Sequence, residues 1–275
     1  MHLLAPLLLI ASTAHAAPPF VAASDASSTT PLELRFPVPE GGLRADVEPG
    51  SFAAWLRVLP LREDRDDVRA WNGDALRRPA AAVAALDVGR GDLQQCADSA
   101  LRLHAEWLWA SGRADEAAYH FTSGDRSAWV DWRAGERFVI DGAHVERQKG
   151  AARGADWATY RAWLQYVFRF AGTRSLRFDT AAVPADRPIA AGDVFVDPGS
   201  PGHAVVVLDV MHRDGRPHAL LGQGFMPAED FHVLTDRAAV DGVWFPLPVG
   251  ADDALDSPSW SPFPRSTARR FVPHR

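Results

Sequence analysis

From Gly192 to Leu234 the chain runs through four β segments, GDVFV, HAVVVLDVM, HALLGQGF and DFHVL, and GVWFPLP offers a fifth. Their apolar, β-branched content and the turn residues between them predict strands of an antiparallel sheet. Two amphipathic helices precede them. In the first, starting at Asp92, Leu93, Cys96, Ala100, Leu103, Trp107 and their neighbours recur at intervals of three and four, and Gly112 closes the run. The second is DWATYRAWLQYVFRFAG, with Trp157, Tyr160, Trp163, Leu164, Val167 and Phe168 on its apolar side. Helices first and an antiparallel sheet afterwards define the α+β class.

Shorter elements fill the rest. Ser51 caps a helix in SFAAWLRVLPL, Asn72-Gly73 marks a turn, and AAYHFTSG and GERFVIDG read as strands. AAAVAALDVG fits strand or helix equally.

The first 16 residues read as a secretory signal peptide: a short apolar run, Leu3 to Ala11, and a small-x-small cleavage site at Ala14-His15-Ala16. The expected location is periplasmic or secreted. No later stretch is apolar enough for an integral membrane segment in the mature form. Residues 17–30 are small and polar and are expected to be a disordered lead. Residues 31–250 form a single α+β domain, and 251–275 a Pro- and Ser-rich C-terminal tail over the surface. A net charge of -6 argues against nucleic acid as partner, and 47% hydrophobic residues supply a sizeable core.

One cysteine, Cys96, excludes an internal disulfide and leaves a thiol that is inert, shared with another chain, or reactive. With Asp92 as N-cap and Gln95 reaching back to it, Cys96 falls within the first turn. There the helix dipole lowers a thiol pKa and free N–H groups can bind an oxyanion, with Gln94 or Gln95 as side-chain donors. His203 opens an apolar strand just after Gly202, placed to act as base on a helix-borne thiol. A third group should orient the imidazole, and Gln223 is the candidate. Its position depends on the hairpin. A two-residue turn at Asp214-Gly215 pairs Arg213 with Arg216 and puts Gln223 opposite Val206, on the wrong face. A three-residue turn puts it opposite Val205, diagonal to His203 and on its face; His212 then faces Arg216 rather than His218.

Over most of its length the chain resembles a family of bacterial envelope proteins known as domain of unknown function 4846. SFAAWLRVLPL, LDVGRGDLQQCADSALRLHAEWL, YHFTSGD, VFRFAGTRSL, GDVFVDPGSPGHAVVVLDV and QGFMPAEDFHVL carry that likeness. A narrower pattern is a cysteine on a helix start, then Gly-Asp-strand and Gly-His-strand, then a polar residue after the hairpin. It resembles the CHAP-type, papain-like cysteine amidohydrolases and peptidases. That resemblance implies a papain-like (CHAP-like) domain with helices packed on an antiparallel sheet. It further implies Cys96 as nucleophile, His203 as base, Gln223 as orienting group, and an amide of a cell-wall peptide as substrate. The alternative is a non-catalytic envelope peptide- or glycan-binding module on the same fold. No cofactor is expected. His212, His218 and His232 lack metal-ligand spacing, so no metal site is expected either, and His120 reads as structural.

Overall fold

The computed structural model describes residues 27–142 and 144–273, so the expected signal peptide lies outside the described residues. Three helices organise the chain: α1 (Phe52–Arg57), α2 (Cys96–Ala110) and α3 (Trp157–Phe168). Each starts on a side-chain cap. Ser51 accepts from the Ala54 N–H and Asp156 from the Thr159 N–H, each satisfying an amide that the first turn leaves free. Among the described residues no helix is long and apolar enough to cross a membrane.

One nine-stranded sheet dominates. Its strands are β1 (Gly42–Arg44), β2 (Ala80–Val83), β3 (Thr180–Ala182), β4 (Asp193–Asp197), β5 (His203–Arg213), β6 (Arg216–Gln223), β7 (His232–Leu234), β8 (Trp244–Pro246) and β9 (Ala268–Phe271). The main path is β2-β7-β6-β5-β4-β9-β3, with β1 on β5 and β8 on β6. Its pairs are antiparallel, and the class is α+β.

Alternation along β5 separates two apolar layers. Ala204, Val206 and Leu208 face α2 and α3, where Leu101, Tyr160, Trp163 and Val167 are fully buried. Val205 and Val207 face the other way, against Leu247, Leu255 and Phe263. The stretch expected to be a surface tail builds this second layer. Ala254–Ser257 and Trp260–Pro264 form a hairpin, and β9 then inserts between β4 and β3. Phe263 and Ala268 are buried, which outweighs the loop-like Pro and Ser content. The expected lead-in also ends early, because Thr29–Pro31 pairs with Pro60–Arg62.

The β5–β6 hairpin departs from both expected registers. Its turn has two residues, with Asp214 and Gly215 both at positive φ (52° and 72°) and Arg213 opposite Arg216. That is the geometry whose twist suits a tight hairpin, and it puts Pro217, not Arg216 or His218, opposite His212. Taken alone, it turns Gln223 away from His203. A bulge at Leu208 restores the phase: Asp209 faces Leu220, but Val207 faces Leu221 and Val206 faces Gly222. Continued by one residue, this places Gln223 opposite Val205. Asp209 fixes the bulge, since its buried carboxylate takes Arg57 at 3.0 Å, Arg44, and the N–H of Val210 at 2.9 Å.

Candidate active site

Helix α2 starts later than its apolar period suggests. Its N-cap is Gln95, whose side chain accepts the N–H of Asp98, while the Asp98 carboxyl accepts the N–H of Gln95. Asp92, the expected cap, instead takes the Gln95 amide at 3.0 Å and the Ala228 N–H at 2.6 Å, tying the helix start to the loop after β6. Gly224 in that loop allows the approach, because a Cβ there would meet Ser99 Oγ at 2.4 Å.

Cys96 is thus the first helical residue. It is 5% exposed, and its Sγ lies 3.9 Å from the carbonyl oxygen of Gly202, the residue before His203. Burial is the main force on the thiol, with the Asp98 charge second. Together they push it up to about 11 against the pull of the N–H groups of Ala204, Ala97 and Cys96.

His203 starts β5 opposite Asp197 and is fully buried. Its Nε2 lies 2.7 Å from Gln223 Oε1, which also accepts from Ser259 Oγ at 2.7 Å. Gln223 Nε2 points to His232 Nε2 at 3.5 Å, and His232 Nδ1 donates to the Asp230 carbonyl at 3.1 Å. This chain assigns the protons. The carboxamide oxygen needs a donor from His203, so Nε2 carries the hydrogen and Nδ1 is left as a bare acceptor. Nδ1 is buried and has no hydrogen-bond partner.

Burial holds both rings neutral, pushing His203 and His232 down to about 4. A histidine depressed on folding contributes stability that is complete above its unfolded value of 6.5 and is lost as pH falls through about 4. Between those limits the wild type is expected to lose stability relative to His203→Gln by roughly 1.4 kcal/mol per pH unit. Urea unfolding at several pH values measures it.

Aromatic rings cover the imidazole. Trp260 from the C-terminal hairpin lies 5.1 Å from it and Phe225 4.8 Å, and the Trp260 indole N–H donates to Asp197 at 2.8 Å. Arg78 sits over Phe225 and pairs with Glu229 at 3.0 Å.

The structure therefore joins His203 to Gln223 and sets Cys96 against the peptide preceding His203. Cys96 packs in the helix-side layer with Ala204, whereas His203 stacks among Trp260 and Phe263 of the other. Sulfur and imidazole thus flank the start of β5 from its two faces and are not hydrogen-bonded to each other. Gln94 turns away, its Oε1 taken by Arg102 (3.0 Å) and Arg161 (3.1 Å). With Gln95 held by Asp92, neither glutamine aims its amide at the thiol. The donors beside the sulfur are backbone N–H groups, that of Ala204 among them.

Sequence reasoning missed Ser259, Trp260 and Asp197, and weighed His232 only as a metal ligand. The first two stand in SPSWSPFP, where an indole amid Ser and Pro was the available sign. His120 pairs with Asp179 at 2.7 Å. Among the described residues no three His, Cys, Asp or Glu side chains gather as a metal cage. A cavity of about 870 Å³ beside Phe52, Trp107 and Phe271 lies along the far half of α2; neither Cys96, His203 nor Gln223 lines it.

A family model described as domain of unknown function (4846) matches residues 32–270. No curated protein and no solved structure matches the chain.

Proposed function

The chain belongs to the family of domain of unknown function 4846, and because that description carries no activity we propose from the site itself that this is a papain-like (CHAP-like) cysteine amidase or peptidase. In this reading it works in the periplasm or outside the cell, on amide bonds of cell-envelope peptides. The observation that carries the proposal is the bare Nδ1 of His203. A buried acceptor without a donor costs on the order of 1–3 kcal/mol, and such a group is retained where chemistry uses it. In this reading its donor is the Cys96 thiol, whose sulfur lies against the carbonyl of Gly202, one residue before that ring.

The step runs as acyl transfer. Nδ1 takes the thiol proton, the Cys96 sulfur attacks the amide carbon, and the oxyanion is held by the helix-start and Ala204 N–H groups. Protonated His203 then gives its proton to the leaving amine. A water, deprotonated by the same nitrogen, splits the thioester and releases the acid. Gln223 keeps Nε2 protonated throughout, so that Nδ1 remains the working atom.

A second reading is favoured by the burial of both groups: an uncharged thiol and an uncharged imidazole under Trp260 suit a non-catalytic module that grips an envelope peptide or glycan. Iodoacetamide labelling separates the two. If Cys96 and His203 form a working pair, wild type is expected to label Cys96 at least tenfold faster than His203→Ala near pH 7. Equal, slow labelling of both proteins favours the binding module.

A further inference from the structure

A second cavity, of about 680 Å³, lies on the other side of the loop that precedes His203. Arg174, Arg177 and Arg269 line it with the hydroxyl residues Thr122, Thr173 and Thr267 and with no carboxylate. Among the described residues none of these three arginines has an acidic partner. Arg269 spends its hydrogen bonds on the neutral oxygens of Thr180 and Arg177, and Arg177 stacks on Phe178. Elsewhere Arg44, Arg57, Arg62, Arg65, Arg78, Arg102, Arg113 and Arg270 each find a carboxylate. Three arginines lining one space without a counter-charge suit an oxyanion, which each could meet with charge-assisted hydrogen bonds.

The wall joins the cavity to the thiol. Thr173 Oγ1 accepts from the Gly199 N–H at 3.3 Å and lies so close to Gly202 that a Cβ there would meet it at 2.4 Å. The carbonyl of the same Gly202 contacts the Cys96 sulfur. One glycine therefore separates the arginine-lined space from the sulfur.

We propose that this cavity is a carboxylate-binding subsite, taking a free carboxylate of the peptide whose amide bond is presented to Cys96. Arginine forks match the two oxygens of a carboxylate, and the threonine hydroxyls supply further donors. The position of the cut bond rests on the amidase reading; the binding of the carboxylate does not.

The test is calorimetric titration of the full chain carrying Cys96→Ala, so that binding is read without turnover. The probes are N-acetyl-alanyl-alanine and its C-terminal amide, at low salt. The acid is expected to bind at least tenfold more tightly than the amide. Arg174→Gln alone should reduce that preference, and Arg174→Gln with Arg177→Gln should abolish it; both side chains are exposed, and circular dichroism checks the fold. Inorganic phosphate should compete weakly. Equal binding of acid and amide, or a preference that survives the double change, overturns the proposal. So does tight phosphate binding that the peptide acid cannot displace, which makes the cavity a phosphate site. A protein that hydrolyses amides but shows no acid preference refutes the subsite alone. One that prefers the acid without hydrolysing anything refutes the amidase reading alone.

Discussion

Cys96→Ala is expected to lower hydrolysis of cell-wall peptide fragments by at least about a thousandfold, because no other residue at the start of α2 can form the thioester. The fold should tolerate the change. The side chain is small, and its removal from a buried position costs about 1 kcal/mol in lost packing. Cys96→Ser keeps the shape and a donor for the Gly202 carbonyl but not the nucleophilicity, so it should be as inactive while at least as stable as Cys96→Ala. Gln223→Ala should cost less activity than His203→Ala, since it frees the ring to choose the wrong nitrogen for its proton without removing the base. Release of amine from muropeptides, followed for wild type and the four variants side by side, measures all of this. Wild type and Cys96→Ala behaving alike would remove the enzyme reading and leave the binding module.

The second large effect is on stability. Arg102 is fully buried in the middle of α2, where it pairs with Glu106 one turn on, donates to Asp87 at 2.8 Å and holds Gln94 at 3.0 Å. It thus clamps the loop that delivers the chain to Cys96. Arg102→Met leaves Glu106 buried without its paired guanidinium, and burial already pushes that carboxyl up to about 7. Breaking one side of such a pair costs about 3–5 kcal/mol. For a domain of this size the melting temperature should fall by roughly 6–20 °C. Replacing both partners, as Arg102→Met with Glu106→Leu, should recover much of the loss, because the cost lies in the orphaned charge. Thermal unfolding followed by circular dichroism reads each variant. A single change that leaves the melting point in place would mean that the clamp is not structural.

How much of this was legible beforehand differs by element, for physical reasons. Helix α3 was readable because its apolar residues repeat at the helical period and Asp156 caps it, so local and tertiary demands agree. The start of α2 was not, because Asp92 has the chemistry of a cap but is drawn to the N–H of Ala228, a partner 136 residues away. Gln223 shows the limit most clearly. The turn type could be weighed from Asp214-Gly215, and the register needed by His203 could be stated. The bulge that reconciles them depends on Asp209 meeting Arg44 and Arg57, and nothing in HAVVVLDVM signals those long-range ion pairs. The C-terminal hairpin was misread because proline and serine report on backbone preference, whereas Trp260 and Phe263 are placed by a cleft that only the folded sheet provides. The place of His203 at the start of β5 was legible, but the rings that cover it were not.

The insertion of β9 between β4 and β3 has a consequence for biogenesis. A chain cut short before Ala268 would present two open sheet edges at once, along β4 and β3, each offering unpaired amides to any neighbouring polypeptide. Damage to the last few residues would therefore tend to produce aggregates rather than a trimmed but working molecule.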